Sequence, residues 1–331
     1  MSRPSRLLVA AALASVYIVW GSTYLTIRFA TESIPPLLMA GCRFLFAGVL
    51  MYAVARCLGA PRPTARHWRS SAIIGFCLLA CGNGGVTVAE QWVTTGVAAL
   101  FVATVPMFLV LFGWWSGVTR RPSGWTVFGL ALGFGGIVTL AGSSLQGNIA
   151  LNHGVYLGMG ILICGSALWA GGSLYSKTAH VSPSPFLSAA MQMIAGGVMM
   201  LTLSAVIGEA ARFHPYAVSQ KSLLCFGYLV VFGSIVAFTA YIWLMRVCPP
   251  ALVATYAYVN PAVAVMLGVV FGGETLSARL LQGGSLIVAS VAIIITAQIR
   301  QGTQGSSAPP IKASLRKPLA DVTPAAAGEV H

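Results

Sequence analysis

The chain has 331 residues, of which 57% are hydrophobic and 8% charged, against about 25% charged in an ordinary soluble domain. Six acidic residues cannot coat a water-soluble body of that size, so the class is an integral membrane protein. The net charge of +13 does not point to nucleic acid, because the basic residues fall in short loops between apolar runs, as membrane topology requires.

In chain order, apolar runs predict ten transmembrane helices near 7–29, 36–56, 70–90, 96–118, 124–142, 154–176, 184–208, 222–244, 251–272 and 280–299. Each is close to the roughly 20 residues that cross a hydrocarbon core. The first has the charged flank and apolar stretch of a signal peptide. An internal repeat argues against its removal. Displaced by 149 residues, Trp20 falls on Trp169, Leu25 on Leu174, Arg28 on Lys177, Pro36 on Pro185 and Gly48 on Gly197. The expected organisation is a five-span half over 1–143, a second over 154–299, and a disordered cytoplasmic tail over 300–331, where Gly, Ser, Pro and Ala dominate.

With the N-terminus inside and ten alternating spans, fourteen basic residues fall in the cytoplasm. Only Arg28, Arg212, Lys221 and Arg279 fall outside, and Arg43 lies within a span. Both termini are therefore expected to be cytoplasmic. Because five is odd, the halves run in opposite directions, an inverted-topology repeat.

The fourth and ninth spans, within Gly96–Thr119 and Ala251–Glu274, match at an offset of 155, including Pro106 with Pro261 and Gly113 with Gly268. Each is an apolar run interrupted by one central proline, and a matched pair of interrupted spans marks a transporter's binding site.

Polar side chains inside spans are few. Asn83, Thr87 and Glu90 step by four and three residues along one stripe. They either line a water-filled path or leave Glu90 solvated at the membrane edge. Arg43, two turns in from the outer end of the second span, either snorkels or pairs across the bundle, with Glu90 as the partner. On the ninth span Tyr256, Asn260 and Glu274 fall within about 40° of one another. Asn260 offers its amide to a ligand or to backbone freed by Pro261, and Glu274 either couples transport to protons or caps a loop. Arg28 and Lys177 sit near span ends and read as interface anchors. Trp20 and Trp169 lie deeper and either flank a cavity or pack as core. Glycine pairs four apart (Gly129/Gly133, Gly154/Gly158, Gly268/Gly272) allow close helix approach.

Seven cysteines lie within spans or at their ends and behave as small apolar residues, with no disulfide or metal spacing. No Gly-Lys dipeptide, HExxH or GxSxG occurs, so neither an ATP-binding loop nor a recognisable catalytic motif is present. No cofactor is implied, and an enzyme is not expected. A passive facilitator or channel for small solutes remains open as an alternative, though it would want a ring of repeated selectivity groups.

Four segments carry a family resemblance: CGNGGVTVAE (Cys81–Glu90), GVAALFVATVP (Gly96–Pro106), FGSIVAFTAY (Phe232–Tyr241) and PALVATYAYVNPAVAVMLG (Pro250–Gly268) with Gly273-Glu274. They resemble paired EamA domains of the drug/metabolite transporter superfamily, over about residues 10–299. The resemblance implies an all-α polytopic fold of two inverted five-helix repeats in the bacterial inner membrane. It implies a secondary transporter exporting a small organic solute such as an amino acid, metabolite or drug by alternating access. The substrate-site candidates are Trp20, Arg43, Asn83, Thr87, Glu90, Trp169, Tyr256 and Asn260, with Pro106 and Pro261 breaking helices at the site. Glu90 and Glu274 are the coupling candidates, should protons drive transport. Glu274 has no counterpart in the first half, where Thr119 stands.

Overall fold

A computed structural model describes residues 5–117, 121–143, 153–248 and 250–305. Thr119 and the tail beyond 305 lie outside the described residues. Among those described, every regular element is helical. The longer helices among the described residues are α1 (Arg6–Ala30), α2 (Pro36–Cys57), α3 (Ala65–Ala89), α4 (Thr95–Trp115), α5 (Gly124–Ser143), α6 (His153–Thr178), α7 (Pro185–Val206), α8 (Gln220–Val247), α9 (Tyr256–Phe271) and α10 (Ala278–Gly305). Eight are long and apolar enough to cross a membrane; the apolar stretches of α5 and α9, Gly124–Thr139 and Val259–Phe271, are shorter.

Local chemistry explains the boundaries. Ser5, Thr64, Thr94, Ser184 and Ser219 each accept a backbone N–H at a helix start, and Pro36 and Pro185 occupy first turns, where a missing N–H costs nothing. Large apolar side chains stay exposed on the outside of the bundle, among them Phe46, Phe128, Phe134 and Phe271. That suits lipid rather than water.

The two halves pack reciprocally. α2 lies antiparallel against α7, and α5 against α10. α1 packs on α8 and α9 of the other half, while α6 packs on α3 and α4. The α2–α7 seam brings backbone against backbone. A Cβ on Gly48 would sit 2.8 Å from the Ile194 nitrogen and 2.9 Å from the Ala190 oxygen. One on Gly197 would sit 2.6 Å from the Leu45 nitrogen and 3.0 Å from the Gly41 oxygen. Gly48, Leu45 and Gly41 are the residues 149 positions before Gly197, Ile194 and Ala190. At this seam the contacts are therefore reciprocal under the 149-residue offset.

The third helix of each half loosens in its middle: α3 is π-helical over Phe76–Asn83 and α8 over Leu229–Phe238. Such insertions cluster at functional sites. The fourth helix of each half is broken, α4 at Ala103–Thr104 and α9 from a short helix, Pro250–Val253, at Ala254–Thr255. The breaks do not fall where matched prolines predict. Pro106 is the second residue of the resumed helix, which needs no N–H from it. Pro261 lies inside α9, six residues past the break. Both breaks instead follow a shared tripeptide, Val102-Ala103-Thr104 and Val253-Ala254-Thr255, offset by 151 residues rather than 155.

Candidate functional site

At both breaks a threonine hydroxyl adds a second donor to the carbonyl three residues back, which already accepts that threonine's own N–H. Thr104 Oγ1 donates to the Phe101 oxygen at 2.7 Å, and Thr255 Oγ1 donates to the Leu252 oxygen at 2.6 Å. Each break is then held by the first helix of the opposite half. Ser166 of α6 donates to the Phe101 oxygen at 3.3 Å, and the Tyr17 hydroxyl of α1 hydrogen-bonds Thr255 Oγ1. Tyr17 and Ser166 are 149 positions apart, as the two tryptophans are.

Between the breaks lies a narrow cavity. Its volume is about 50 Å³. That is room for a few waters rather than an organic solute. Helices of both halves line it: Trp20, Thr23 and Tyr24 from α1, Asn83 from α3, Val102 and Val105 beside the α4 break, Ser166 and Trp169 from α6, Tyr256 and Asn260 from α9. Trp20 and Trp169 meet edge to face with centroids 5.5 Å apart, and Tyr256 stands edge-on to Trp20 at 5.4 Å. Tyr241 of α8 closes the cluster, accepting from Trp169 Nε1 at 3.2 Å and bonding Ser173 Oγ at 2.9 Å. Such pairs are worth about 0.5–1.5 kcal/mol each beyond their buried area, so the cluster holds its shape.

Five of the sequence-derived candidates, Trp20, Asn83, Trp169, Tyr256 and Asn260, thus converge on one cavity. Asn83 Oδ1 is buried there without a partner. Asn260, oriented to satisfy its hydrogen bonds, donates its amide to the Tyr17 oxygen at 3.0 Å and the Tyr256 oxygen at 3.3 Å, tying α9 to α1 just before Pro261.

The other candidates lie elsewhere. Thr87 is buried and donates to the Asn83 oxygen at 3.0 Å. Of the expected stripe only Asn83 lines the cavity; Thr87 and Glu90 are not part of its lining. Arg43, 1% exposed, does not pair with Glu90. Its Nε donates to Ser234 Oγ at 2.8 Å, its guanidinium lies 4.5 Å from the Phe44 ring, and Nη1 has no partner. Gly233, at which a Cβ would approach Arg43 Nη2 to 2.7 Å, leaves room for it. Both oxygens of Glu90 are buried and unpartnered.

Arg28 is an ion-pair partner rather than an interface anchor. Its Nη1 lies 2.9 Å from Glu274 Oε1. The same carboxylate caps α4: Thr95 N donates at 2.8 Å, Thr95 Oγ1 at 2.6 Å and Gly96 N at 3.3 Å. Of the two readings of Glu274, the structure places it in the cap, where an anion belongs at a helix N-terminus. Gly268 makes room, since a Cβ there would meet Glu274 Oε2 at 2.6 Å.

Two further carboxylates at this end also join the halves. Glu209 accepts from the Leu37 and Leu38 nitrogens at the start of α2, at 3.4 and 2.9 Å, and Glu32 pairs with Lys221 at 2.7 Å. At the opposite end, Arg246 donates to the Pro183 and Ser182 oxygens of its own half. No ion pair is found there among the described residues.

The chain matches the EamA-like transporter family over residues 7–142 and 156–296. It is 45% identical over 268 residues to the uncharacterized inner membrane transporter YedA of Escherichia coli (strain K12), covering 80% of this chain and 83% of that one. It is 26% identical over 286 residues to the uncharacterized transporter YvbV of Bacillus subtilis (strain 168), covering 86% and 90%. A probable amino-acid metabolite efflux pump of E. coli (strain K12) is 23% identical over 285 residues, covering 84% and 91%. A solved crystal structure superposes with a TM-score of 0.62 at 19% identity, covering 88% of this chain and 98% of its own, and shares the fold.

Proposed function

This chain is a membrane transporter of the EamA-like family, and from that premise we propose that it is a secondary exporter of a small organic solute. It works by alternating access about the cavity between the α4 and α9 breaks. The observation that carries the proposal is the cavity itself: aromatic, lined by both halves, and closed down to a few waters. A site shared by two reciprocally packed halves at their broken helices is what alternating access about a fixed centre needs. The reciprocal contacts support the inverted repeat, and the E. coli relative described as an efflux pump supports the outward direction.

The aromatic walls suit the apolar body of a solute, and Asn83 and Asn260 suit one or two polar groups on it. The basic loops support a topology with the end bearing Glu274 outside and both termini in the cytoplasm of an inner membrane. Proton coupling fits Glu90. A buried carboxyl without a partner is costly as an anion and comfortable as a neutral acid. A passive facilitator would need a continuous path, which a cavity this narrow does not favour.

The test is uptake into proteoliposomes with and without an imposed pH gradient. Candidate solutes come from a toxicity screen of amino acids and metabolites on overexpressing and deleted cells. Accumulation above the bath concentration, abolished by collapsing the gradient, is expected. Equilibration that never exceeds the bath would establish the facilitator instead.

A further inference from the structure

The basic end of the bundle holds a second pocket, of about 390 Å³, between the end of α6, the start of α7 and the end of α8. Lys177 and Arg246 line it, and no carboxylate does. The carboxylates among the described residues, Glu32, Glu90, Glu209 and Glu274, all stand toward the other end. Arg246 is fixed at the pocket by two neutral oxygens, those of Ser182 and Pro183, at 2.8 and 2.7 Å, which leave its charge uncancelled. Lys177 has no ion-pair partner among the described residues. Its repeat mate Arg28 has one in Glu274, but the residue 155 positions before Glu274 is Thr119. The repeat thus copies the cation of that pair without its anion.

The inner wall of the pocket gives a second sign of a ligand. Gln192, 1% exposed, lies two turns into α7, and its Oε1 has no partner. Its Nε2 donates to Ser188 Oγ at 3.1 Å, which leaves the Ser188 hydroxyl proton to donate elsewhere. Both side chains line the pocket. Cations that only set topology need no such pair beneath them, and a buried amide oxygen without a donor is costly. The pocket is also in line with the cavity. On α6, Trp169 lines the cavity, Ser173 follows one turn on, and Lys177 lines the pocket, about 12 Å from Trp169 along the axis. Between them stands one layer, in which the Tyr241 hydroxyl bonds Ser173 Oγ at 2.9 Å and accepts from Trp169 Nε1 at 3.2 Å.

We propose that this pocket is an anion site, where a carboxylate or phosphate on the solute docks before it passes the Tyr241 layer into the cavity. The anionic oxygens accept from Lys177 Nζ and Ser188 Oγ, beside the Arg246 charge. Gln192 Oε1 accepts an N–H or O–H of the same solute. The volume suits a small organic molecule. This deepens the transporter reading by giving the solute a negative charge and a donor, and it rests on that reading for the passage inward. A lipid phosphate at the membrane surface offers the same oxygens, and the test separates the two sources.

The chain has four lysines, Lys177, Lys221, Lys312 and Lys317, so a single peptide reports on this site. The full chain, in nonionic detergent and phosphate-free buffer, is treated with pyridoxal 5′-phosphate or with pyridoxal and reduced with borohydride. Labelling of each lysine is read by mass spectrometry. The ratio of the two rates should be about tenfold higher at Lys177 than at Lys312, because only the first reagent carries the phosphate. Mandelate should slow labelling of Lys177 and mandelamide should not, while phenylacetate, which lacks the hydroxyl, should need a several-fold higher concentration. Gln192→Leu should erase the difference between mandelate and phenylacetate. Equal rate ratios at Lys177 and Lys312, equal protection by mandelamide, or a mandelate preference that survives Gln192→Leu would each overturn the proposal. In phosphatidylglycerol nanodiscs Lys177 should stay reactive and mandelate-sensitive; loss of its labelling there assigns the site to a lipid phosphate and sinks the solute. Proteoliposome flux keeps the failures apart. Flux from a chain whose Lys177 shows no preference for anions sinks the anion site alone, whereas a mandelate-protected Lys177 with no flux of any screened solute sinks the transporter reading.

Discussion

The breaks in α4 and α9 share a tripeptide, a threonine hydroxyl on its own turn, and a tie from the first helix of the opposite half. Past that point they diverge. α4 resumes with Pro106 in its first turn, where proline fits, and nothing further is required. α9 resumes and then meets Pro261 in its interior, where the ring removes a helical hydrogen bond and clashes with the preceding turn. Asn260, just before it, donates its amide to the Tyr256 oxygen of its own helix and to the Tyr17 oxygen of α1. Position 105, its counterpart at the proline offset, is a valine. One half thus carries a simple elbow and the other an elbow with a braced kink beside the cavity.

The comparison can be broken first at Asn260. Asn260→Ala should lower transport by more than about tenfold, the equivalent of ~1.4 kcal/mol, with membrane abundance above half of normal. Val105→Ala should leave most transport intact. Loss of the Asn260→Ala protein from the membrane would make that residue packing support alone. Pro261→Ala comes next. It restores an N–H to the helix and should raise the melting temperature while slowing flux several-fold. Unchanged flux would mean that the kink plays no part in the transport cycle. Tyr17→Phe removes a hydrogen bond worth about 1 kcal/mol, more than the long Ser166 bond that Ser166→Ala removes, and detergent melting curves should rank them so. The smallest effect belongs to Pro106→Ala, expected within about 0.5–1 kcal/mol of parent, because no hydrogen bond depends on that nitrogen.

Much of this was legible beforehand. Composition and the basic loops declare the membrane. The 149-residue offset picks out Trp20 and Trp169, which do meet at the cavity, and scarcity singles out Asn83, Tyr256 and Asn260. The failures have physical causes. Aligning the halves on their prolines hid the Val-Ala-Thr tripeptide, which lies at a different offset and would have located both breaks and suggested Tyr17 and Ser166. The pairing of Arg43 with Glu90 failed because charge alone does not give rotation about a helix axis. A π-helical segment carries no propensity signature, so Ser234, the actual partner of Arg43, could not be found. Glu274 was ambiguous because its ligands, Arg28 and Thr95, are 246 and 179 residues away.

The seam between α2 and α7 constrains how such a molecule can move. Where Gly48 and Gly197 bring two backbones together with no side chain between them, neither helix can slide without steric collision, and interdigitated cores switch between discrete packings rather than stretch. In the proposed alternating-access cycle the pair serves as an axle, with α1 and α9 travelling as one arm and α6 and α4 as the other. A bulky residue at either glycine would not merely loosen the protein; it would shift the pivot, and with it which end of the bundle opens first.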